Sequence, residues 1–557
     1  MRLKLIKSML FILIGLSLFL GVQNILKRDW YYPSMSEAPG DMMDEYYQLA
    51  DEVDMQVVFF GSSISEWDID PMKIYKDTGI VTFNMASSGQ PFPVSYYLCK
   101  EIFQSQHPQV IVMEVSGMFT DCVLDWLFEG GYHYILDTMP LSRNKLELAS
   151  YYASKYAEVY GEYKKTDAFV GALLPFYQYH SRWSSLSEED FKKRESLNLY
   201  RKGHLPCTGI TLSGLTIDGM NYIEQAIYSN DGWTIVMENG IPQEKLNTDL
   251  IYSPQINEEY WNMLLDIKEL CERNGTELLL IRAPAFGHPI VDGGAWTLLK
   301  SQILKEKAKK DDFDLLDLQY DVDLGIDWSR DAGAGTQHLN YLGATKLTGY
   351  LEEFLQDRYR LSGEVCEAYE EDMPLYNKIC QLSELQMTDN LFQYFEQLSD
   401  FNNITIFFAA ADDTACGLTD EICQVLNALG LQVDFHNLKY SDAYLAVIEN
   451  GVNVYEAYSN RKIVYSNILN NGIGYSITSS GFQTGSEAAI LIDGKNYARN
   501  SRGMNIVVYD NIHNTVLDSV SFDMHDVNYA LTAVHTGSND FLLQFENKLM
   551  IQGGRNK

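Results

Sequence analysis

Five short apolar runs in the first two thirds of the chain constrain its fold more than any other feature. Polar, Gly or Pro residues bound each run and helical patterns separate them; the runs lie at 56–60, 80–85, 110–115, 277–282 and 314–318. Strands that are joined through helices run parallel, and a parallel sheet needs helices on both of its faces. The sequence therefore predicts an α/β fold of three layers.

The chain has 557 residues, which is too many for one hydrophobic core, so we expect several domains. We predict an α/β domain at 30–365, a linker at 366–380 and a β-rich α+β domain at 381–557. The linker prediction rests on an acidic run that begins just before residue 366 and ends at a Met-Pro pair.

The stretch 121–252 interrupts the alternation of strands and helices with helical, aromatic-rich sequence. It is longer than a connection needs to be and predicts a cap inserted over the functional site. Within this cap, His180 and Trp183 either line a substrate groove or pack inward against other cap residues, and both interpretations stay open.

Composition excludes one class of partner. The formal net charge is −34 and no Lys/Arg stripe offsets it, so we do not expect the chain to bind nucleic acid. The eight cysteines are scattered without a Cys-x-x-Cys pair, which predicts isolated thiols, with Cys366/Cys380 and Cys416/Cys423 as the pairs to check. No metal site and no cofactor are predicted.

The N-terminal segment, residues 1–29, has the pattern of a membrane anchor. An apolar run at 8–26 is just long enough to span a bilayer, and basic residues flank it on both sides: Arg2, Lys4, Lys7, Lys27 and Arg28. The leading basic residues favour a cytoplasmic N-terminus, and no small-x-small cleavage site follows the run. We therefore predict an uncleaved, single-pass signal anchor that places both domains outside the cytoplasm, with a removed signal peptide as the alternative.

Three short motifs carry the chemistry of the first domain. Gly61-Ser62-Ser63 follows the first strand and places a serine at the first turn beyond it. A serine hydroxyl needs a neighbouring base to take its proton, and His338, just ahead of the last predicted helix, is the candidate. Gly89 follows the second strand and Ser116 the third, so the carboxyl edge of the sheet is expected to gather all of these residues.

Together, Gly61-Ser62-Ser63, Ser87-Ser88-Gly89-Gln90 and Gln337-His338-Leu339-Asn340 resemble the SGNH (GDSL-like) hydrolase superfamily over about residues 50–360. The nearest branch is that of the extracytoplasmic DltD-like and alginate-acetylation-like proteins, whose opening motif reads Gly-Ser-Ser. The resemblance implies a flavodoxin-like domain with Ser63 as nucleophile and His338 as base. It assigns the oxyanion donors to the backbone N–H groups of Ser63 and Gly89, with Ser116 as a further candidate.

The chain departs from the family pattern at two places. The superfamily's acid normally lies three residues before the histidine, where this chain has Gly335, so the resemblance points to Asp331, with Asp327 as the second choice. The third strand ends in Glu114-Val115-Ser116 and lacks the Asn of the family's Gly-x-Asn-Asp motif. DltD-like proteins lack that motif as well.

The C-terminal third alternates short strands with Gly, Asn and Asp turns, which is typical of a β-sheet domain. The strand at 404–411, the helix at 419–429 and the strand around 505–510 resemble the interleukin-like EMT inducer (pancreatic-derived-factor) domain over about residues 395–530. Their order is permuted relative to the eukaryotic members. The resemblance implies an accessory module that binds glycans.

Two functions from different classes follow. The first is a membrane-anchored SGNH-type O-acyltransferase or esterase that acts on acyl groups, in particular acetyl, of a cell-envelope or exported polysaccharide. In this branch such proteins work beside a membrane-bound O-acyltransferase, which is therefore an expected partner. The alternative is a catalytically degenerate scaffold of the same fold that binds the polysaccharide or the membrane-bound O-acyltransferase.

Overall fold

The structure is a computed structural model. It describes residues 2–26, 39–119, 125–187, 191, 202, 234–238, 241–245, 255–284, 295–327, 331, 338–414, 416–523 and 533–535. Most of the predicted cap between residues 188 and 252 lies outside these ranges.

The segment predicted as an anchor forms one continuous helix, α1 (Arg2–Leu26). Its window Ile6–Gln23 has a mean hydropathy of 1.9 and is only 6% buried against the rest of the protein. Within the described residues it is the one helix that is long and apolar enough to cross a membrane.

The first domain is built on a five-stranded parallel sheet. The strands of this sheet are β1 (Val57–Phe60), β2 (Thr82–Asn84), β3 (Val110–Glu114), β6 (Glu277–Arg282) and β7 (Asp314–Asp317). Two further strands, β4 (Thr234–Glu238) and β5 (Ile241–Lys245), form a separate antiparallel pair. The order in the sheet is β2-β1-β3-β6-β7. All five predicted apolar runs are strands of this sheet, so the predicted α/β fold is confirmed.

Helices cover both faces of this sheet because its side chains alternate between two apolar cores. Val58 and Phe60 of β1 face one core, and Val57 and Phe59 face the other. The helices are α2 (Pro39–Leu49), α3 (Ser63–Asp68), α4 (Pro71–Thr78), α5 (Phe92–Ile102), α6 (Asp125–Leu136), α7 (Arg143–Tyr160), α8 (Lys165–Leu173), α9 (Pro175–Tyr179), α10 (Glu258–Asn274), α11 (Ala295–Lys310) and α12 (Tyr341–Tyr359).

The C-terminal unit is a mixed, ten-stranded sheet with helices on one side. Its strands are β8 (Ile404–Asp412), β9 (Ala443–Glu449), β10 (Val452–Ser459), β11 (Ile463–Ile468), β12 (Gly474–Gly481), β13 (Glu487–Ile492), β14 (Lys495–Asn496), β15 (Gly503–Asp510), β16 (Thr515–Phe522) and β17 (Ala533–His535). Strand β8 is central, with Phe408 in one core and Phe407 in another. This β-rich α+β unit was also predicted.

The segment predicted as a linker, 366–380, is packed helix instead. It contains α13 (Glu367–Glu370) and the first half of α14 (Met373–Met387), which α15 (Leu391–Leu398) and α16 (Asp420–Ala428) follow. Tyr369 donates to the carbonyl of Thr82 at 2.6 Å, and Tyr376 donates to Asp70 Oδ2 at 2.7 Å. The acidic run lies at the start of these helices, and Tyr369 and Tyr376 are buried in the core of the first domain.

Helix α14 contributes to two cores at once. Tyr376 and Cys380 belong to the core of the first domain, whereas Ile379, Leu382 and Leu385 belong to the core of the C-terminal unit. The two units are therefore joined by a shared helix.

The four cysteines that were named as pairs to check, Cys366, Cys380, Cys416 and Cys423, form no disulfide in the structure.

A shared helix predicts that damage to α14 loosens both units. We expect Leu382→Ala, which leaves a cavity worth about 2–5 kcal/mol, to speed amide hydrogen exchange in β1 and β3 as well as in β8 and β15. The matched control is Leu426→Ala, since Leu426 is equally buried but lies on α16, whose buried side chains all belong to the C-terminal core. Faster exchange confined to the C-terminal strands in both variants would show that the units unfold independently.

Candidate active site

The site starts where β1 turns into α3. Gly61 lies so close to its neighbours that an added Cβ would come within 2.6 Å of Ser65 Cβ and 2.9 Å of Glu114 Cβ. Only glycine fits this turn without moving the end of β3. Ser62 is the N-cap of α3 and Ser63 is its first residue, half-exposed at the carboxyl edge of the sheet.

The ring of His338, which lies in the loop ahead of α12, packs against α3 one turn beyond Ser63. Its ring centroid is 4.6 Å from that of Trp67, which follows Ser63 by four residues. Residues four apart share one face of a helix, so the structure brings the predicted nucleophile and the predicted base to one face of α3. Asn340 fixes the start of α12 behind the histidine, because its Oδ1 accepts the N–H groups of Leu342 and Gly343 at 3.0 and 3.2 Å.

Asp68 connects α3 to the histidine loop and was not predicted from the sequence. It is fully buried, and its Oδ1 accepts the N–H of Leu339, the residue after His338, at 2.9 Å. Asp68 Oδ2 and His338 Nδ1 are both buried and, within the described residues, have no hydrogen-bond partner. Burial raises the pKa of Asp68 and the nearby Glu114 raises it further, while the bond from Leu339 acts in the opposite direction.

Asp331, the first choice for the acid, is engaged elsewhere. Asp331 Oδ2 accepts from Lys346 Nζ at 2.5 Å and from the N–H of Asp327 at 2.7 Å, and the Asp331 carbonyl accepts from Asn340 N–H at 2.8 Å. Asp331 thus anchors the loop ahead of α12. The structure does not bring its carboxylate onto His338 Nδ1.

His338 is an uncharged imidazole over most of the pH range. Burial lowers its pKa from 6.5 to about 4. A general base must be unprotonated to accept the proton of a serine, so this environment keeps His338 in the competent form at neutral pH.

The turn that carries Gly89 is held from three sides. Gly89 has a φ of +64°, which favours glycine, and the preceding Ser88 donates to buried Glu66 at 2.7 Å. Gln90 donates to the carbonyl of Met85 at 3.2 Å. Helix α6 of the predicted cap packs directly on this turn, since a Cβ at Gly131 would lie 2.3 Å from the carbonyl oxygen of Gly89.

Ser116 does not offer a free backbone donor. Its N–H donates to Glu114 Oε1 at 3.0 Å, and this bond satisfies a carboxyl group that is buried at the end of β3. Burial raises the pKa of Glu114, and the bonds from Ser116 lower it. The third candidate oxyanion donor is therefore committed to Glu114, a pairing that the strand pattern did not reveal.

Asn84 is a second residue that sequence reasoning passed over. It ends β2, and its Nδ2 donates to the carbonyls of Ser65 and Ile69 at 2.7 and 3.2 Å. These bonds clamp α3 against the sheet. The sequence shows only an asparagine near the end of a predicted strand, and this is the one signal that could have pointed to its role.

His180 and Trp183 lie in a short 3-10 helix (His180–Ser185) after α9. His180 is exposed, and its Nδ1 lies 2.9 Å from the carbonyl oxygen of Tyr177. Trp183 is 74% exposed, so inward packing is wrong for this side chain. Among the described residues, no group of three or more His, Cys, Asp or Glu could hold a metal ion.

Comparisons with known proteins add little to this geometry. No family model matches the chain, and no curated protein matches it either. A crystal structure of a Bacteroides fragilis protein, provisionally described as an acylhydrolase, aligns over 57% of this chain and 96% of its own length, with 12% identity and a TM-score of 0.24. A likeness at that score supports neither fold nor function, so we base the fold on the strand order and the site on its contacts.

The covering of His338 by Trp67 makes a prediction about its pKa. Trp67→Ala lets water reach the imidazole, so the pKa of His338 should rise from about 4 toward 6.5. We expect ¹³C NMR of ring-labelled histidine to show this rise, while Trp183→Ala, which removes an exposed ring, leaves it unchanged. A wild-type His338 that already titrates near 6.5 would contradict the buried site.

Proposed function

We propose that the chain is an SGNH-type serine enzyme that hydrolyses or transfers an O-acyl group. One observation carries this proposal: Ser63 and the ring of His338 lie on one face of α3, at the carboxyl edge of a parallel sheet. Ligands of open α/β sheets bind at that edge.

The chemistry proceeds through an acyl-enzyme. Ser63 Oγ attacks the ester carbonyl carbon while His338 Nε2 takes the hydroxyl proton, and the Ser63 and Gly89 N–H groups hold the oxyanion. The leaving alcohol departs with the proton from His338. Water or a sugar hydroxyl then attacks the acyl-enzyme while His338 takes its proton. The acyl–Oγ bond breaks and Ser63 leaves with the proton from His338, which yields hydrolysis or transfer.

In this proposal Asp68 supplies the acid in place of Asp331. Its bond to Leu339 holds the histidine loop. Its second oxygen, which is buried without a partner in the structure, is proposed to accept from His338 Nδ1–H when the imidazole takes a proton. The raised pKa of Asp68 belongs to the state with a neutral imidazole. When His338 takes a proton, the positive charge favours the ionised form of a nearby carboxylate.

The substrate that we propose is an acyl group, in particular acetyl, on a cell-envelope or exported polysaccharide. Helix α1 serves as the single-pass anchor, with a cytoplasmic N-terminus and both domains outside, beside a membrane-bound O-acyltransferase that supplies acyl groups. This part rests on the apolarity of α1 and on the resemblance to DltD-like and alginate-acetylation-like proteins.

The C-terminal unit is proposed to bind the same polysaccharide. A cleft of 340 Å³ opens between β11, β12 and β13, lined in part by Ser466, Asn467, Tyr475, Ser476 and Asp493. Hydroxyl, amide and carboxylate groups are the contacts that sugar hydroxyls use.

A non-catalytic scaffold is the second candidate. The observation that favours it is the buried His338 Nδ1, which has no carboxylate bonded to it among the described residues. Such a chain would keep the fold and the polysaccharide contacts but would form no acyl-enzyme.

Ser63→Ala separates the two candidates. In the enzyme it removes the nucleophile, so hydrolysis of 4-nitrophenyl acetate should fall to the background rate, with little change in melting temperature because Ser63 is half-exposed. Ser62→Ala is the matched control and should keep most of the activity. Equal hydrolysis by the wild type and the Ser63 variant would support the scaffold.

The acid is tested by three isosteric variants. Asp68→Asn keeps an acceptor for Leu339 N–H but removes the acceptor proposed for His338, so kcat should fall by about 10²- to 10⁴-fold. Asp331→Asn and Asp327→Asn should change kcat much less, since neither carboxylate is placed on the imidazole. A large loss in the Asp331 variant alone would return the role to Asp331.

A further inference from the structure

The segment from Leu174 to Ser185 contacts the C-terminal end of α1. The ring of Phe176 lies 6.4 Å from that of Phe19, and the N–H of Phe176 donates to Gln23 Oε1. Arg182 donates to the carbonyl oxygen of Leu26 at 3.1 Å and so satisfies one of the open carbonyls at the helix end. These three contacts place the segment beside the last two turns of the apolar helix.

The contacts also give the depth of the segment along α1. Phe19 precedes Gln23, the last residue of the apolar window, by four residues, which is about 6 Å of helix rise. Segments that lie in a membrane interface bury their apolar faces by about 5–10 Å. If α1 spans a bilayer, Phe176 therefore lies at the boundary between headgroups and acyl chains.

The side chains of this segment suit such a position. Leu174, Phe176, Tyr177 and Trp183 are 37, 43, 44 and 74% exposed within twelve residues of chain. Trp and Tyr concentrate at membrane interfaces because their rings are apolar and their N–H or O–H groups are polar. Tyr177 combines an exposed apolar ring with a bonded polar end, since its hydroxyl donates to Asp167 at 2.8 Å.

The segment is fixed to the first domain. Ala168 and Ala172 of the preceding helix α8 are buried in the same core as β1, and Tyr179 donates to buried Asp137. Helix α6 of the same insertion packs on the Gly89 turn. The cap insertion therefore contacts the Gly89 turn at one end and α1 at the other.

We propose that Leu174, Phe176, Tyr177 and Trp183 form a membrane-docking surface whose partner is the outer face of the lipid bilayer. The proposal rests on α1 being retained as a span, as in the proposed function. Docking at this surface holds the carboxyl edge of the sheet at a fixed height above the membrane. Trp183 then faces lipid and not a substrate groove.

The test uses the full chain in liposomes, in the Ser63→Ala background, so that its result does not depend on catalysis. Trp183 emission is obtained as the difference between this protein and its Trp183→Phe variant. We expect phosphatidylcholine brominated near the headgroup end of the acyl chains to quench this emission strongly, and lipid brominated near the chain ends to quench it weakly. No quenching by either lipid overturns the proposal.

Charge substitutions give an independent readout. Phe176→Asp and Trp183→Asp should increase amide hydrogen exchange over residues 174–185 in liposomes, because a carboxylate is expelled from the interface. Ile468→Asp is the control, an apolar side chain in the C-terminal sheet whose 65% exposure lies between those of Phe176 and Trp183, and it should leave the segment unchanged. Equal exchange in all three variants overturns the proposal, as does an intact mass that shows α1 to have been removed.

Discussion

Two buried aspartates, one at the end of α3 and one just after it, hold together parts of the chain that are far apart in sequence. Asp68 accepts the N–H of Leu339, and Asp70 accepts the hydroxyl of Tyr376. Thr348 of α12 joins them, since its hydroxyl lies 3.1 Å from Asp70 N and 3.3 Å from the carbonyl of Asp68. Because a buried polar group that loses its partner costs about 1–3 kcal/mol, this junction sets the positions of α12 and α14 relative to α3.

The site inherits its geometry from that junction. The parallel sheet brings Ser63 and the Gly89 turn to one edge, but His338 arrives from almost three hundred residues away and has no strand to position it. The bond between Leu339 and Asp68 supplies that position, and Trp67 seals the imidazole from water. The bond therefore fixes where His338 lies, while burial, to which Trp67 contributes, sets how readily its ring takes a proton.

Local pattern was enough for the sheet and for the Ser63 and Gly89 turns, and it was insufficient wherever a buried polar group decided the structure. Apolar runs and glycine turns predicted β1, the Ser63 turn and the Gly89 turn, because these depend on neighbours in sequence. Asp331, Ser116 and the 366–380 linker were judged by spacing or charge, whereas their environments depend on Lys346, Glu114 and the core around Tyr376. Contacts of that kind produce no periodic pattern in the sequence from which they could be predicted.

The sharing of α14 between two cores links binding to stability across the chain. A ligand that binds only the folded C-terminal unit at a hundred times its Kd stabilises that unit by about 2.7 kcal/mol. Because Tyr376 and Leu382 lie on one helix, this free energy also opposes the unfolding of the sheet that carries Ser63. A ligand of the C-terminal unit would therefore protect both units from heat and proteolysis.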